Sequence, residues 1–447
     1  MTNQAYLERL KALSSRLVAL QRPIRILDAI KWPAELEASF RARGGRALPA
    51  VDADFYQRQK LAFDPDAVHR DLKDLKNDVR KQLGRGDALG HILKATIEQY
   101  QIVIELLRHR GQPQFGYFSR LLYGSAQDKI RGDRKTLRQL GERLCHVFFL
   151  PAVDYLNRPY SNHINAEQAV DILLQRMNNY FSPGDVRVQI SDEIVSDASA
   201  GGDCIKINRR AHFSELDLQV LEVHEGWVHI GTTLNGRQQP WATWLSVGSP
   251  RITANQEGMA VLLETLTFSS FPQRARRISD RVVAVDLAEQ GADFCEVYRY
   301  FLERGISEHD SYRVTQRVFR GGTLTGGSVF TKDISYVKGF VENVNFIRSA
   351  IQSGVPEIIP MLFVGKVTLD DLPLLYERYL EGVITGPRYL PPMFKDLNGL
   401  YVWFGFSSGI SVMNITRIQQ HFSKLFHKLP ETAPLYGNSV KGDAELD

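Results

Sequence analysis

Leu7, Leu10, Leu13 and Leu17 recur at three- and four-residue steps in MTNQAYLERLKALSSRL, which is the apolar face of an amphipathic helix. The same period runs through DAVHRDLKDLKNDVRKQL and ALGHILKATIEQYQIVIELLRHR, with breaks at Pro or Gly. Residues 1 to about 160 therefore read as a succession of helices, and the charges from Asp66 to Arg85 as a solvated face. After Pro159 the pattern changes. Asn165 caps a helix over AEQAVDILLQRMNNYF, and SPGD turns into VRVQIS. Past the glycine-rich link ASAGGD comes CIKIN; it and VRVQIS alternate with period two and are expected to pair as strands, with CIKIN at an edge. Ser214, three residues before Asp217, opens the helix ELDLQVLEVHEGWVHI with a capping box. Farther on, Asn255 is the expected N-cap of QEGMAVLLETLTF. The pattern predicts an α+β fold, mostly α: a helical region over 1–160, then a region over 161–447 with a small mixed or antiparallel sheet beside a long helix.

Residues 397–416, LNGLYVWFGFSSGISVMNIT, carry no charge over a membrane-like length. Their glycines, hydroxyls and asparagines make a spanning helix costly, so a buried core segment is expected and no membrane span. A 43% hydrophobic content over 447 residues supports a large core. The net charge of +4 is too weak to announce nucleic acid as a partner. Cys145, Cys204 and Cys295 form no CxxC pair, and the N-terminus lacks the unbroken apolar core of a secretory signal; a reducing, cytoplasmic setting is expected.

Candidate chemistry concentrates in His224-Glu225-Gly226-Trp227-Val228-His229, two imidazoles and a carboxylate in six residues. In the common HExxH form the histidines lie four apart. Five apart, they sit about 140° round a regular helix, so both face one ion only if the turn widens. A π-type turn is predicted, with Gly226 lowering the resistance to it. A third ligand is expected from an acidic residue opening a downstream helix, and Glu257 stands there, with Val261 and Glu264 on its face.

HEGWVH followed by LNGRQQPW and NQEGMA, and then by FRGG, FTKDISYVKG and LFVGKVTLDDL, resembles the QEGLA-motif family, to which the microtubule-associated tyrosine carboxypeptidases also belong. The resemblance covers about residues 165 to 400. It implies a zincin-like metallopeptidase with one Zn2+ ion, in which His224 and His229 fall on the family's paired histidines, Glu225 on its catalytic glutamate and Glu257 on the glutamate completing the metal site. Met259 stands where the motif has Leu, and Gly226-Trp227-Val228 departs from the family's Ile-led filling.

The function so implied is a zinc carboxypeptidase acting on the C-terminus of a peptide or protein. A non-catalytic zinc-binding regulator of the same fold, or an aminopeptidase or endopeptidase, are the alternatives. Recognition of a free carboxylate calls for cations near the metal, and Arg317, Arg320 and Lys332 are candidates, as are Lys206, Arg209 and Arg210 around CIKIN. The Gly-Gly pairs between them suggest a substrate-lining loop, since no GxxxxGK[ST] string is present. Tyr336 is a candidate donor to the oxyanion that forms during hydrolysis. His212 reads as a surface histidine and Cys204 as a packed thiol.

Overall fold

The computed structural model describes residues 4–148, 160–192, 194 and 196–426. The chain is mostly helical with one three-stranded sheet, an α+β fold dominated by α. The expected change of organisation after Pro159 falls on residues 149–159, outside the described residues.

Helix Gln4–Gln21 buries Leu7, Leu10, Leu13 and Leu17, as its spacing requires. It also carries Ser14, whose Oγ lies 2.7 Å from Thr243 Oγ1 and accepts from the Trp244 backbone N–H. Helix Ala88–Arg108 contributes Tyr100, whose hydroxyl donates to the Gly248 carbonyl. Two N-terminal helices thus grip the loop that joins the HEGWVH and QEGMA segments. Helix Pro65–Leu83 turns Leu72, Leu75 and Val79 inward and leaves its charges to solvent.

Apolar side chains from Leu7 to Phe404 form one continuous core, and a second, smaller core gathers Ile164, Leu173, Met177, Ile205, Ile207 and Phe213 beneath the sheet. The HEGWVH segment lies between them, with Val223 and Val228 in the large core and Ile230 in the small one.

The sheet corrects the strand reading. β1 (Arg187–Ser191) and β3 (Cys204–Asn208) do pair, in parallel, but CIKIN is central, not an edge. Part of the glycine-rich link, Ala198–Gly201, is itself a strand, β2, antiparallel to β3 and forming the outer edge. Its alanines and Gly201 hid it from a reading that seeks branched and aromatic residues.

Residues 397–416 are likewise not a core segment. Helix Asn398–Ser411 buries Leu400 and Phe404 only, and helix Ile415–Phe426 follows it. No helix among the described residues is long and apolar enough to cross a membrane.

Candidate metal centre

Ser214 and Asp217 form the capping box, each side chain bonding the other's backbone N–H, and start helix Glu215–Leu221. From Glu222 to Ile230 the helix widens to π geometry before resuming as Gly231–Arg237. With i→i+5 bonding, residues five apart come onto one side, which is what the HEGWVH spacing demands. The His224 and His229 ring centres lie 4.9 Å apart at 84°. Gly226 has a further reason to be glycine: a Cβ there would stand 2.7 Å from Met177 Sδ.

Glu257 comes from helix Thr253–Leu266. The expected N-cap at Asn255 is wrong by three residues: the helix follows Ile252, and Asn255 is buried inside it with its amide donating to the Val367 carbonyl. Glu257 therefore sits in the second turn. What sets its position is a glycine crossing with helix Ser335–Gln352. A Cβ on Gly258 would lie 1.9 Å from the Gly339 carbonyl carbon, and one on Gly339 would lie 1.6 Å from the Ala254 oxygen. The two backbones touch, bringing Glu257 and Tyr336 to the same site.

Glu257 Oε2 lies 3.5 Å from His224 Nε2 and 3.8 Å from His229 Nε2. The three donor atoms fall within 4.8 Å of one another, a grouping able to hold a metal ion. The other nitrogen of His224, Nδ1, is 2.6 Å from Glu264 Oε1, and Glu264 is clamped by Arg274 through contacts of 2.5 and 2.7 Å. Glu264 thereby turns His224 Nε2 toward Glu257, the usual arrangement behind a metal-binding imidazole.

The electrostatics follow from burial and pairing. Burial opposes the charge on Glu257, but Lys332, with Nζ 2.7 Å from Glu257 Oε1, and the two histidines outweigh it and hold the carboxyl well below its usual range. Burial likewise opposes a charged His224, yet its bonds to Glu257 and Glu264 take it up to about 10. Glu264 is pulled down to about 2 against its burial, chiefly by Arg274.

His229 is held through its backbone. Its carbonyl accepts from Lys366 Nζ at 2.8 Å and from Thr233 Oγ1 at 2.8 Å. Lys366 also reaches Gln256 Oε1, where it meets Thr232. A widened turn leaves carbonyls without their regular partners, and these groups supply them. Burial lowers Lys366 to about 7. Glu225 Oε2 accepts from the Ala200 N–H of β2 at 2.9 Å, so the edge strand holds this carboxylate.

Beyond Glu257 stands a cationic wall. Arg317 pairs with both oxygens of Asp333, at 2.7 and 2.8 Å, and Arg281 lies 3.8 Å from Asp333. Arg281 also faces the Tyr336 ring at 4.9 Å, while Tyr336 stacks 6.4 Å from His224. Arg320 lies 5.6 Å from the Phe330 ring; burial brings it down to about 10, and its Nε has no hydrogen-bond partner.

Tyr336, Lys332, Arg317 and Arg320 thus gather beside the three donors. Arg209 is drawn off to Asp192 and Glu167, Lys206 sits within the central strand, and Arg210 is exposed in the following turn. His212 is exposed, and Cys204 is buried with its thiol pushed up by burial. Of the two Gly-Gly pairs, Gly321 and Gly322 are buried, with a Cβ on Gly321 standing 2.3 Å from Phe115, while Gly326 is half-buried and Gly327 exposed.

Sequence reasoning missed Arg274, Arg281, Lys366 and Gly339. Glu264 had left a signal, standing on the face of Glu257 two turns later, and Gly339 and Lys366 lie within the FTKDISYVKG and LFVGKVTLDDL motifs.

No curated protein matches the chain. Residues 38–412, which include His224, Glu225, His229 and Glu257, match the microtubule-associated tyrosine carboxypeptidase family, and the chain belongs to that family.

Proposed function

We propose that the chain is a zinc-dependent carboxypeptidase of zincin-like architecture, in which residues 161–447 carry catalysis and residues 1–160 support it. The observation that carries this reading is the convergence of two histidine nitrogens and one carboxylate oxygen within 4.8 Å. Family membership supports peptidase chemistry on a protein or peptide C-terminus. Two imidazoles and a carboxylate are a common donor set for catalytic zinc.

His224, His229 and Glu257 would hold the ion. When bound, zinc supplies Lewis-acid polarisation of the scissile carbonyl and makes water acidic enough to ionise near neutral pH. Glu225, held by Ala200 through Oε2, takes the proton of the attacking water on Oε1 and returns it to the leaving amine. Tyr336 donates to the developing oxyanion. The substrate carboxylate docks on Arg281 and Arg320, while Arg317 is saturated by Asp333 and Lys332 orients Glu257. The three free cysteines fit a reducing, cytoplasmic setting.

Incubation with a peptide library, with and without a chelator, followed by mass spectrometry of both ends, tests the reading. It predicts chelator-sensitive stepwise loss from the C-terminus. Trimming from the N-terminus, internal cleavage, or unchanged peptides would contradict it.

A further inference from the structure

Helix Asn398–Ser411 is apolar all round. Leu400 and Phe404 face the core, while Tyr401, Trp403, Phe406 and Ile410, on its remaining sides, are 47–73% exposed. A helix of this kind is normally covered on every side. After a short turn, helix Ile415–Phe426 presents Ile415, Ile418 and Phe422 on one face. Arg417, His421 and Lys424 recur at steps of four and three on the opposite face, all exposed.

Charge identifies the occupant. Between Asp396 and Glu431 the sequence contains no acidic residue but has Arg417, Lys424 and Lys428. A second copy of the chain would bring the same acid-free face and repel it. A bilayer bearing anionic headgroups would satisfy both parts: acyl chains for the apolar faces, headgroup charge for the cations, and an interfacial level that suits Tyr401 and Trp403.

We propose that residues 398–426 form a peripheral docking element for an anionic lipid surface, lying in the interface and not crossing it. This inference is independent of the catalytic reading.

The test is flotation of the full chain with vesicles of phosphatidylcholine alone and of phosphatidylcholine mixed with phosphatidylglycerol. Binding is expected on the mixed vesicles only. R417E/K424E should weaken it by about 25-fold or more. F406S/I410S, at exposed positions, should weaken it by about tenfold or more with unchanged thermal unfolding. Equal binding to both vesicles, or binding to neither, would overturn the proposal. So would a concentration-dependent dimer that F406S/I410S abolishes in the absence of vesicle binding.

Discussion

Two buried charge clusters flank the candidate centre, and they are built to different rules. Behind His224, Glu264 faces one guanidinium, Arg274, and both of its oxygens are engaged. Beyond Glu257, one carboxylate, Asp333, faces Arg281 and Arg317, with Arg320 close by, and the Nε atoms of Arg281 and Arg320 have no hydrogen-bond partner. The first cluster is balanced and complete. The second carries excess positive charge at a buried location, which is costly unless an anion arrives to share it. The difference separates an anchor from a binding surface, although both read in sequence as scattered arginines and acids.

The largest effect is expected at the anchor. Glu264→Ala leaves Arg274 buried without its partner and frees the His224 ring. Denaturant unfolding should show a loss of about 3–5 kcal/mol, and chelator competition a metal affinity lower by about 10- to 100-fold. If the variant holds metal like the parent, Glu264 is not the anchor.

Asp333→Asn should cost about 3 kcal/mol at neutral pH. Burial opposes the charge on Asp333, but Arg317 and Arg281 hold its carboxyl far below the usual carboxylate value of about 3.9. A depressed folded-state pKa gives stability that is present above the unfolded value and lost as pH falls toward the folded one. The gap between parent and variant should therefore be constant from neutral pH down to about 4 and narrow below it. A gap that widens in acid would reverse the assignment.

Arg281→Met probes the binding surface. Removing a cation whose burial outweighs its pairing with Asp333 should barely alter stability while KM for C-terminal substrates rises about tenfold, with kcat nearly unchanged. An equal fall in kcat would place Arg281 in the chemistry instead.

The smallest effect belongs to Lys366→Met, which removes two neutral acceptors' donor at the widened turn. It should cost about 1 kcal/mol in urea unfolding. A loss as large as that of Glu264→Ala would mean that the backbone of His229, not the ring of His224, is the critical anchor.

The sequence carried the local part of this design. The five-residue histidine spacing foretold the widened turn at Glu222–Ile230, and Ser214 and Asp217 foretold the start of the helix that leads into it. What stayed hidden depends on contacts between distant segments. Gly258 and Gly339 are ordinary helix residues until the two helices cross. Arg274 and Arg281 have no local reason to differ from other surface arginines. β2 is a strand because β3 pairs with it, not because Ala198–Gly201 favours extension. The error at Asn255 has the same origin: a good capping residue was taken into the core by a carbonyl 112 positions away.

The claim that His224, His229 and Glu257 hold a metal for which Glu225 is the base is tested most directly by Glu225→Gln. Metal content and C-terminal trimming should be measured on one preparation, beside the parent protein. The account predicts one zinc per chain in both proteins and a turnover at least about 100-fold lower in the variant. A variant that trims peptides at the parental rate, or a parent that trims them without bound metal, would contradict it.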